Sequence, residues 1–425
     1  MSAVEKMTPA ETRLARVSLP DGFGPQRRAA LERLNAMGLP GRRDEYWRWT
    51  NPTDFIAPDP VPAAPFSDDE PEIFGEIDRL KIVFRDGVFD AEASDELAMS
   101  GVEILRLADA PDVNWASSLY GTLEANGQDP VKRPFAALNT ASATDGVLIR
   151  VTGAAEKPVS LIYTHESETS DPILHHLVKL EEGAEITVLE NGPAGARFNK
   201  LMEVDVAKGA KFHHIRVQGR DHERRAVTSI FTRVAEEGLF KSFTLTSNGV
   251  LTRNECVIDI VGDDANAHVA GAALGDGKTG KFHHDDTVFI THGAERGESR
   301  QVFKKVLKNG AEGIFQGKIL VKPGAQKTDG YQISQSLLLD ENSQFLAKPE
   351  LEIYADDVQC SHGSTTGAID ETALFYLRSR GVPEEEATAL LVLSFVADAI
   401  EEIEEERFRD AILTRLEGWL ARHRG

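Results

Sequence analysis

The side chains of this 425-residue chain best suited to hold a transition metal are few and unevenly placed. There are two cysteines, Cys256 and Cys360, and three adjacent histidine pairs, His175-His176, His213-His214 and His283-His284. The last two pairs recur in one phrase, Lys211-Phe-His-His and Lys281-Phe-His-His. Neighbouring residues of a strand point to opposite faces, so the members of a pair cannot share one metal while the strand stays regular. Ligation would take one histidine from each of two stacked strands. The plainer reading is structural, with one ring buried and hydrogen-bonded and the other at the surface.

The densest spot is Leu351-Glu-Ile-Tyr-Ala-Asp-Asp-Val-Gln-Cys-Ser-His-Gly-Ser-Thr-Thr-Gly367. If Val358 to His362 is extended, Cys360 and His362 fall on one face at i and i+2, close enough for a thiolate and an imidazole to reach one metal or sulfide species. Two donors do not close a site, because zinc or a cluster ordinarily takes about four. The others must come from elsewhere in the chain or from another chain, and a purely structural Cys-x-His stands beside that reading. No phosphate loop, Gly-x-Ser-x-Gly elbow or His-Glu-x-x-His helix occurs, so nucleotide hydrolysis and hydrolytic chemistry have no motif here. A β-helical glycosidase would gather carboxylates on one strand face, whereas Asp285-Asp286 and Asp356-Asp357 each split across two.

These residues need elements to position them. Between about 146 and 367 the chain reads as short strands of Val, Ile, Leu, Phe and Thr separated by turn residues. A phrase recurs in which a turn precedes a strand: Glu182-Gly-Ala-Glu-Ile, Lys208-Gly-Ala-Lys-Phe, Glu237-Gly-Leu-Phe, Asn309-Gly-Ala-Glu-Gly-Ile-Phe and Asn342-Ser-Gln-Phe. Consecutive copies lie roughly 25 to 30 residues apart, the period of a solenoid. One rung cannot bury its apolar face alone, so stacked rungs share a core. A parallel β-helix is the natural architecture, and an antiparallel sandwich is the rival.

Ahead of this region a helix is expected over Pro25 to Met37 with Gly38 as its stop. Pro52 to Pro71 is proline-rich and reads as a connector without helix or central strand. After Gly367 the strands stop. Asp370 caps a helix through Leu374-Phe-Tyr-Leu-Arg-Ser, Gly381 ends it, and Pro383 with Glu384, Glu385 and Glu386 opens a second. That second helix, read from Ala387 to Ile403, is apolar almost all round and wants two burial surfaces, in its own fold or on a partner. The expected organisation is a helical region and linker over 1–75, a mixed connecting region over 76–145, a β-helix over 146–367 and a helical domain over 368–425.

Composition limits the function classes. The chain has 47 basic and 69 acidic residues and a net charge of −22, a field that repels nucleic-acid backbones and anionic lipid surfaces. Two distant cysteines fit a reducing compartment. The start, Met1-Ser-Ala-Val-Glu-Lys, lacks a signal-peptide pattern, and no apolar run reaches the roughly 18 residues needed to span a bilayer. A cytoplasmic protein is expected.

The segment from Leu351 to Gly367, continued by Phe375-Tyr-Leu-Arg-Ser-Arg-Gly-Val-Pro383, closely resembles the C-terminal signature of the SufB/SufD family of iron–sulfur cluster assembly proteins. Gly38-Leu-Pro-Gly-Arg-Arg-Asp-Glu-Tyr-Trp-Arg-Trp-Thr50 is similar to a second family phrase. The resemblance is to the SufD branch, because SufB members carry a further cysteine and a Glu-His-Glu stretch where this chain reads Gln359-Cys-Ser-His-Gly-Ser-Thr. It implies a right-handed parallel β-helix between helical ends, in a non-catalytic scaffold subunit that works with SufB and the ATPase SufC. It further implies a transient Fe–S cluster at the SufB interface, to which His362 and, less directly, Cys360 contribute. Phe375, Tyr376, Arg378, Gly381 and Pro383 are placed at the SufC contact, internal packing of Phe375 and Tyr376 being the other reading. A subunit that only holds SufB and SufC in place is the alternative role. Reduced flavin has been associated with the family's complex, although no Gly-x-Gly-x-x-Gly fingerprint occurs here. An uncovered sheet edge would also let the isolated chain pair with itself.

Overall fold

The computed structural model describes residues 7–65, 71–110, 113–192, 194–219 and 223–423. The N-terminal hexapeptide and residues 66–70 of the proline-rich connector lie outside the described residues. The recurring turn phrase proves to mark solenoid corners, the copies at Glu182, Lys208 and Glu237 leading into strands of one sheet and those at Asn309 and Asn342 into strands of the other. At successive corners Gly183, Gly209, Glu237, Asp264, Arg296 and Lys327 all take left-handed backbone, with φ from 55° to 70°. Each corner amide donates to a carbonyl of the next corner, as in Gly183 to Lys208 and Gly209 to Glu236, both at 2.9 Å. A small residue follows, such as Ala184, Ala210 or Ala265, fully buried because the chain turns into the core there.

Each rung contributes one strand to each of two facing sheets, and about 7 turns make a parallel β-helix. The first sheet stacks Leu80–Arg85, Val159–Thr164, Glu185–Asn191, Lys211–Gln218, Leu239–Ser247, Asn266–Asp276, Glu298–Lys308, Asp329–Leu338 and Gln359–Gly367 in parallel. The second stacks Val147–Val151, Ile173–Leu180, Arg197–Val206, Arg225–Val234, Leu251–Ile260, His283–His292, Glu312–Val321 and Gln344–Ile353, also in parallel. Neighbouring rungs are offset by 26 residues at Thr228 and Asn254, 28 at Thr246 and Gln218, and 32 at Arg296 and Asp264. The longer rungs exceed the sequence-based period because extra residues leave at the corners without disturbing register.

Between the sheets lies an apolar core that includes Ile186, Phe212, Phe240, Val204, Val234, Ile260 and Phe315. Both outer faces are covered. Phe23, Tyr120, Leu123, Trp47, Phe55 and Phe135 from the first 142 residues pack on the second sheet. The helix Glu384–Ile400 and a last helix, Glu406–Arg422, pack on the first through Val392, Val396, Phe408, Ile412, Leu416 and Trp419. Removing such side chains from water contributes roughly 1.5–3 kcal/mol each.

The helix expected from Pro25 is present as Gly24–Met37, and Gly38, at φ 71°, ends it. The connector departs from expectation, since Thr53–Ile56 forms one helical turn that buries Phe55. Pro52 sits before that turn, where a missing amide costs no helical hydrogen bond.

Candidate functional site

One end of the solenoid is uncovered. Gln359–Gly367 and Gln344–Ile353 are the last strands of their sheets and pair on one side only. The final strand carries small and polar residues, Gly363, Ser364, Thr365, Thr366 and Gly367, and most of it is exposed. Its outer edge therefore presents backbone donors and acceptors that no strand among the described residues satisfies.

The strand is extended as the spacing required. Cys360 stands in register with Gly330, and His362 with Gln332, so both side chains continue inward-facing columns of the first sheet. They differ in environment. Cys360 packs with Ile319, Val321, Ala325, Leu351 and Val358, and burial pushes its thiol above the ordinary value, partly offset by the Gly330 backbone. His362 is exposed and makes no hydrogen bond or ion pair among the described residues. Its imidazole is a ready donor, whereas the Cys360 thiol must turn out of an apolar cluster to become one. Among the described residues no three His, Cys, Asp or Glu side chains converge as a metal-binding group.

The C-terminal helices form a second exposed feature. Asp370 caps Glu371–Ser379 by accepting from the amides of Thr372 at 2.8 Å and Ala373 at 3.1 Å. Gly381, at φ 89°, closes the turn, and Pro383 precedes Glu384–Ile400. The first of these helices has no buried residue: Phe375 is 74% and Tyr376 54% exposed. Internal packing therefore does not account for them. Leu390 on the next helix is 46% exposed, so the side of that helix away from the sheet is also uncovered. Arg378 pairs with Glu384 at 3.1 Å across the turn between the two helices.

The histidine pairs separate as the strand geometry requires, but not all as one inside and one outside. His214 and His284 point into the solenoid, and their partners His213 and His283 lie near the surface. His175 and His176 are both fully buried. His176 meets Tyr163 inside the core, while His175 stacks on Tyr120, because residues 114–142 cover the outer face there.

The polar lining of the solenoid was not anticipated. Glu190 accepts from the Tyr163 hydroxyl at 2.6 Å, and from Lys200 Nζ and His214 Nε2 at 2.8 Å. Burial raises the Glu190 carboxyl, but Lys200, His214 and Arg216 overcome this and hold it well below the usual range. Further along, Lys305 Nζ contacts His284 Nδ1 at 2.8 Å and Asp286 at 2.6 Å. The signal available in sequence was the charged residue at an inward position of a β-rich rung, as at Glu190 and Lys200.

Comparison with known proteins gives the family. Residues 163–395 match the family described as SUF system FeS cluster assembly, SufBD core domain. The iron–sulfur cluster assembly protein SufD of Escherichia coli (strain K12) is 27% identical over 408 residues, 92% of each chain. Protein ABCI7, chloroplastic, of Arabidopsis thaliana is 27% identical over 416 residues, 93% of this chain and 85% of that one. SufD of Bacillus subtilis (strain 168) is 29% identical over 273 residues, 62% of this chain and 61% of that one. With more than half its length matched by the family model, the chain belongs to the SufBD family of SUF-system iron–sulfur cluster assembly proteins, and it is of the SufD type.

Proposed function

We propose that this chain is the SufD subunit of a cytoplasmic complex with SufB and the ATPase SufC, and that a nascent Fe–S cluster is built where its open end meets SufB. The observation that carries the reading is the juxtaposition of the open outer edge of Gln359–Gly367 with an imidazole at His362 that has no partner among the described residues. Strand pairing across that edge supplies binding through the backbone. It also brings donors of a second chain beside His362, which the two-residue donor set requires. Cys360 is the reserve ligand. An imidazole binds iron and releases it more readily than a thiolate, which suits a cluster that must leave.

The exposed Phe375 and Tyr376, with Arg378, Gly381 and Pro383 shaping the turn beside them, are the docking surface for SufC. Closure of the ATPase pulls on these helices and loosens the SufB contact. The chain itself contributes no catalytic group, and any reduced flavin belongs to the assembled complex. In excess over SufB, the same open end pairs two copies of this chain.

Copurification with SufB and SufC, followed by anaerobic reconstitution with iron and sulfide, tests the reading. His362→Ala should leave the complex assembled and deplete its cluster. Wild-type cluster yield in that variant would remove the ligand role and leave the narrower one, a half-scaffold that holds SufB and SufC; the inward turn of Cys360 favours that alternative.

A further inference from the structure

Gln301, Gln332 and His362 occupy equivalent positions on the last three rungs of the first sheet. Stacked strands are about 4.8 Å apart, so their side chains form a ladder that rises to the open end. Gln332 Nε2 donates to Gln301 Oε1 at 2.9 Å, and both residues are fully buried. The ladder is left with two buried orphans among the described residues, a donor at Gln301 Nε2 and an acceptor at Gln332 Oε1, and the latter makes no hydrogen bond to His362 in this arrangement. A buried acceptor without a partner is unfavourable, and native folds keep few of them without a reason.

The second sheet makes room for this amide. A Cβ on Gly317 would come 2.3 Å from Gln332 Nε2 and 2.7 Å from its Cδ. A side chain has been given up opposite Gln332 so that a polar group can occupy the core one rung beneath His362. The exposed imidazole on the last rung has a donor to offer and no partner among the described residues.

We infer that Gln332 is the positioning residue for His362: its side-chain carbonyl accepts one imidazole N–H, fixes the ring's tautomer, and leaves the lone pair of the other nitrogen facing incoming iron. This rests on the reading of His362 as a cluster ligand. Histidines that ligate metals ordinarily spend their second ring nitrogen on such an acceptor, and its loss weakens metal binding about 10–100-fold. Gln332 touches neither iron nor sulfide and acts only through His362.

The test is nitrogen NMR of the full chain with labelled histidine rings, the His362 signals being identified by their loss in His362→Gln. In the native chain and in Gln332→Glu, which keeps an acceptor oxygen, one neutral tautomer of His362 should dominate. In Gln332→Met, which has the length without the acceptor, the ratio should return to that of free histidine in the same buffer. Gly317→Ala, which displaces the amide without altering Gln332, should do the same and serves if Gln332→Met does not fold. Iron retained after reconstitution with SufB should fall about 10–100-fold in Gln332→Met and be kept in Gln332→Glu. A tautomer ratio that both Gln332→Met and Gly317→Ala leave unchanged overturns the positioning role. Wild-type iron retention in His362→Ala overturns the ligand reading instead, and the tautomer measurement, made without iron, is unaffected by that result.

Discussion

Gly330 and Cys360 lie in register on the last two rungs, and a Cβ placed on Gly330 would come 3.2 Å from Cys360 Sγ. The thiol thus rests on a neighbour that has no side chain to displace it. Burial raises its pKa, so at neutral pH it is chiefly the protonated, slowly reacting form. Cys256 is fully buried and pushed up to about 12. Titration with a thiol reagent at pH 8 should modify Cys360 slowly and Cys256 only in denaturant. Rapid modification of both in the native chain would contradict this arrangement.

The exposed helix Glu371–Ser379 invites a separation of stability from binding. Phe375→Ala and Tyr376→Ala remove no buried contact, so stability should stay within about 0.5 kcal/mol of the native chain in urea unfolding. Binding to SufC, the proposed partner, should weaken by about 1–4 kcal/mol, read by calorimetry, if these side chains anchor the contact. Unchanged affinity in the double variant would move the docking surface elsewhere.

Arg253 ties the N-terminal region to the solenoid. Its guanidinium lies 4.2 Å from the Trp47 ring centroid, donates to the Tyr46 carbonyl at 2.8 Å and pairs with Asp285 at 2.5 Å. Trp47→Ala would open a cavity among Phe55, Phe135 and Leu34 at a cost of about 3–5 kcal/mol. Limited proteolysis should then cut within the first 65 residues much faster than in the native chain, and equal cutting rates would show that the tie is not needed.

Buried histidines set the acid limb of stability. Burial lowers His175 and His176 from 6.5 to about 3, and His214 and His292 to about 4. Below pH 6.5 the unfolded chain takes up protons that the folded chain refuses, so stability is lost as pH falls from 6.5 toward these values. At pH 5 each contributes a loss of about 2 kcal/mol. Glu203 works in the opposite direction. Burial raises it from 4.5 to about 8 against the backbone amides of Glu124, Gly121 and Leu123, so its contribution is lost as pH rises through that interval. The urea midpoint should fall steeply between pH 6.5 and pH 5, and Glu203→Gln should be relatively more stable than the native chain at pH 8 than at pH 5. A midpoint that does not change from pH 7 to pH 5 would show that these rings are not held neutral.

The rungs were legible because the corner requirement is local. A left-handed residue followed by a small one recurs in sequence as Gly183-Ala184 and Lys208-Gly-Ala210, whatever the strands contain. Cys360 and His362 were legible as a pair because alternation along a strand needs no tertiary knowledge. Their different surroundings were not, since the cluster around Cys360 draws on Ile319 and Ala325 from the preceding rung. Glu190 and Lys200 were missed for the same reason: they lie on opposite sheets, and only the fold shows that their two inward positions face each other. The burial of His175 depends on Tyr120, more than fifty residues earlier and in a different layer. The last helix, Glu406–Arg422, went unread because its apolar positions Phe408, Ile412, Leu416 and Trp419 are spaced among many charges and show their purpose only against the sheet.

The variable corners and constant strand stacking make the molecule a ruler graduated in rungs. Residues added at a corner bulge sideways, but the separation of two sites along the axis changes only in whole strand spacings of about 4.8 Å. A change of length at a corner therefore leaves the reach from the N-terminal tie to the open end unaltered. Deleting part of a corner should be tolerated. Deleting one full rung would shorten that reach by a single graduation and carry His362 one strand spacing toward the N-terminal tie.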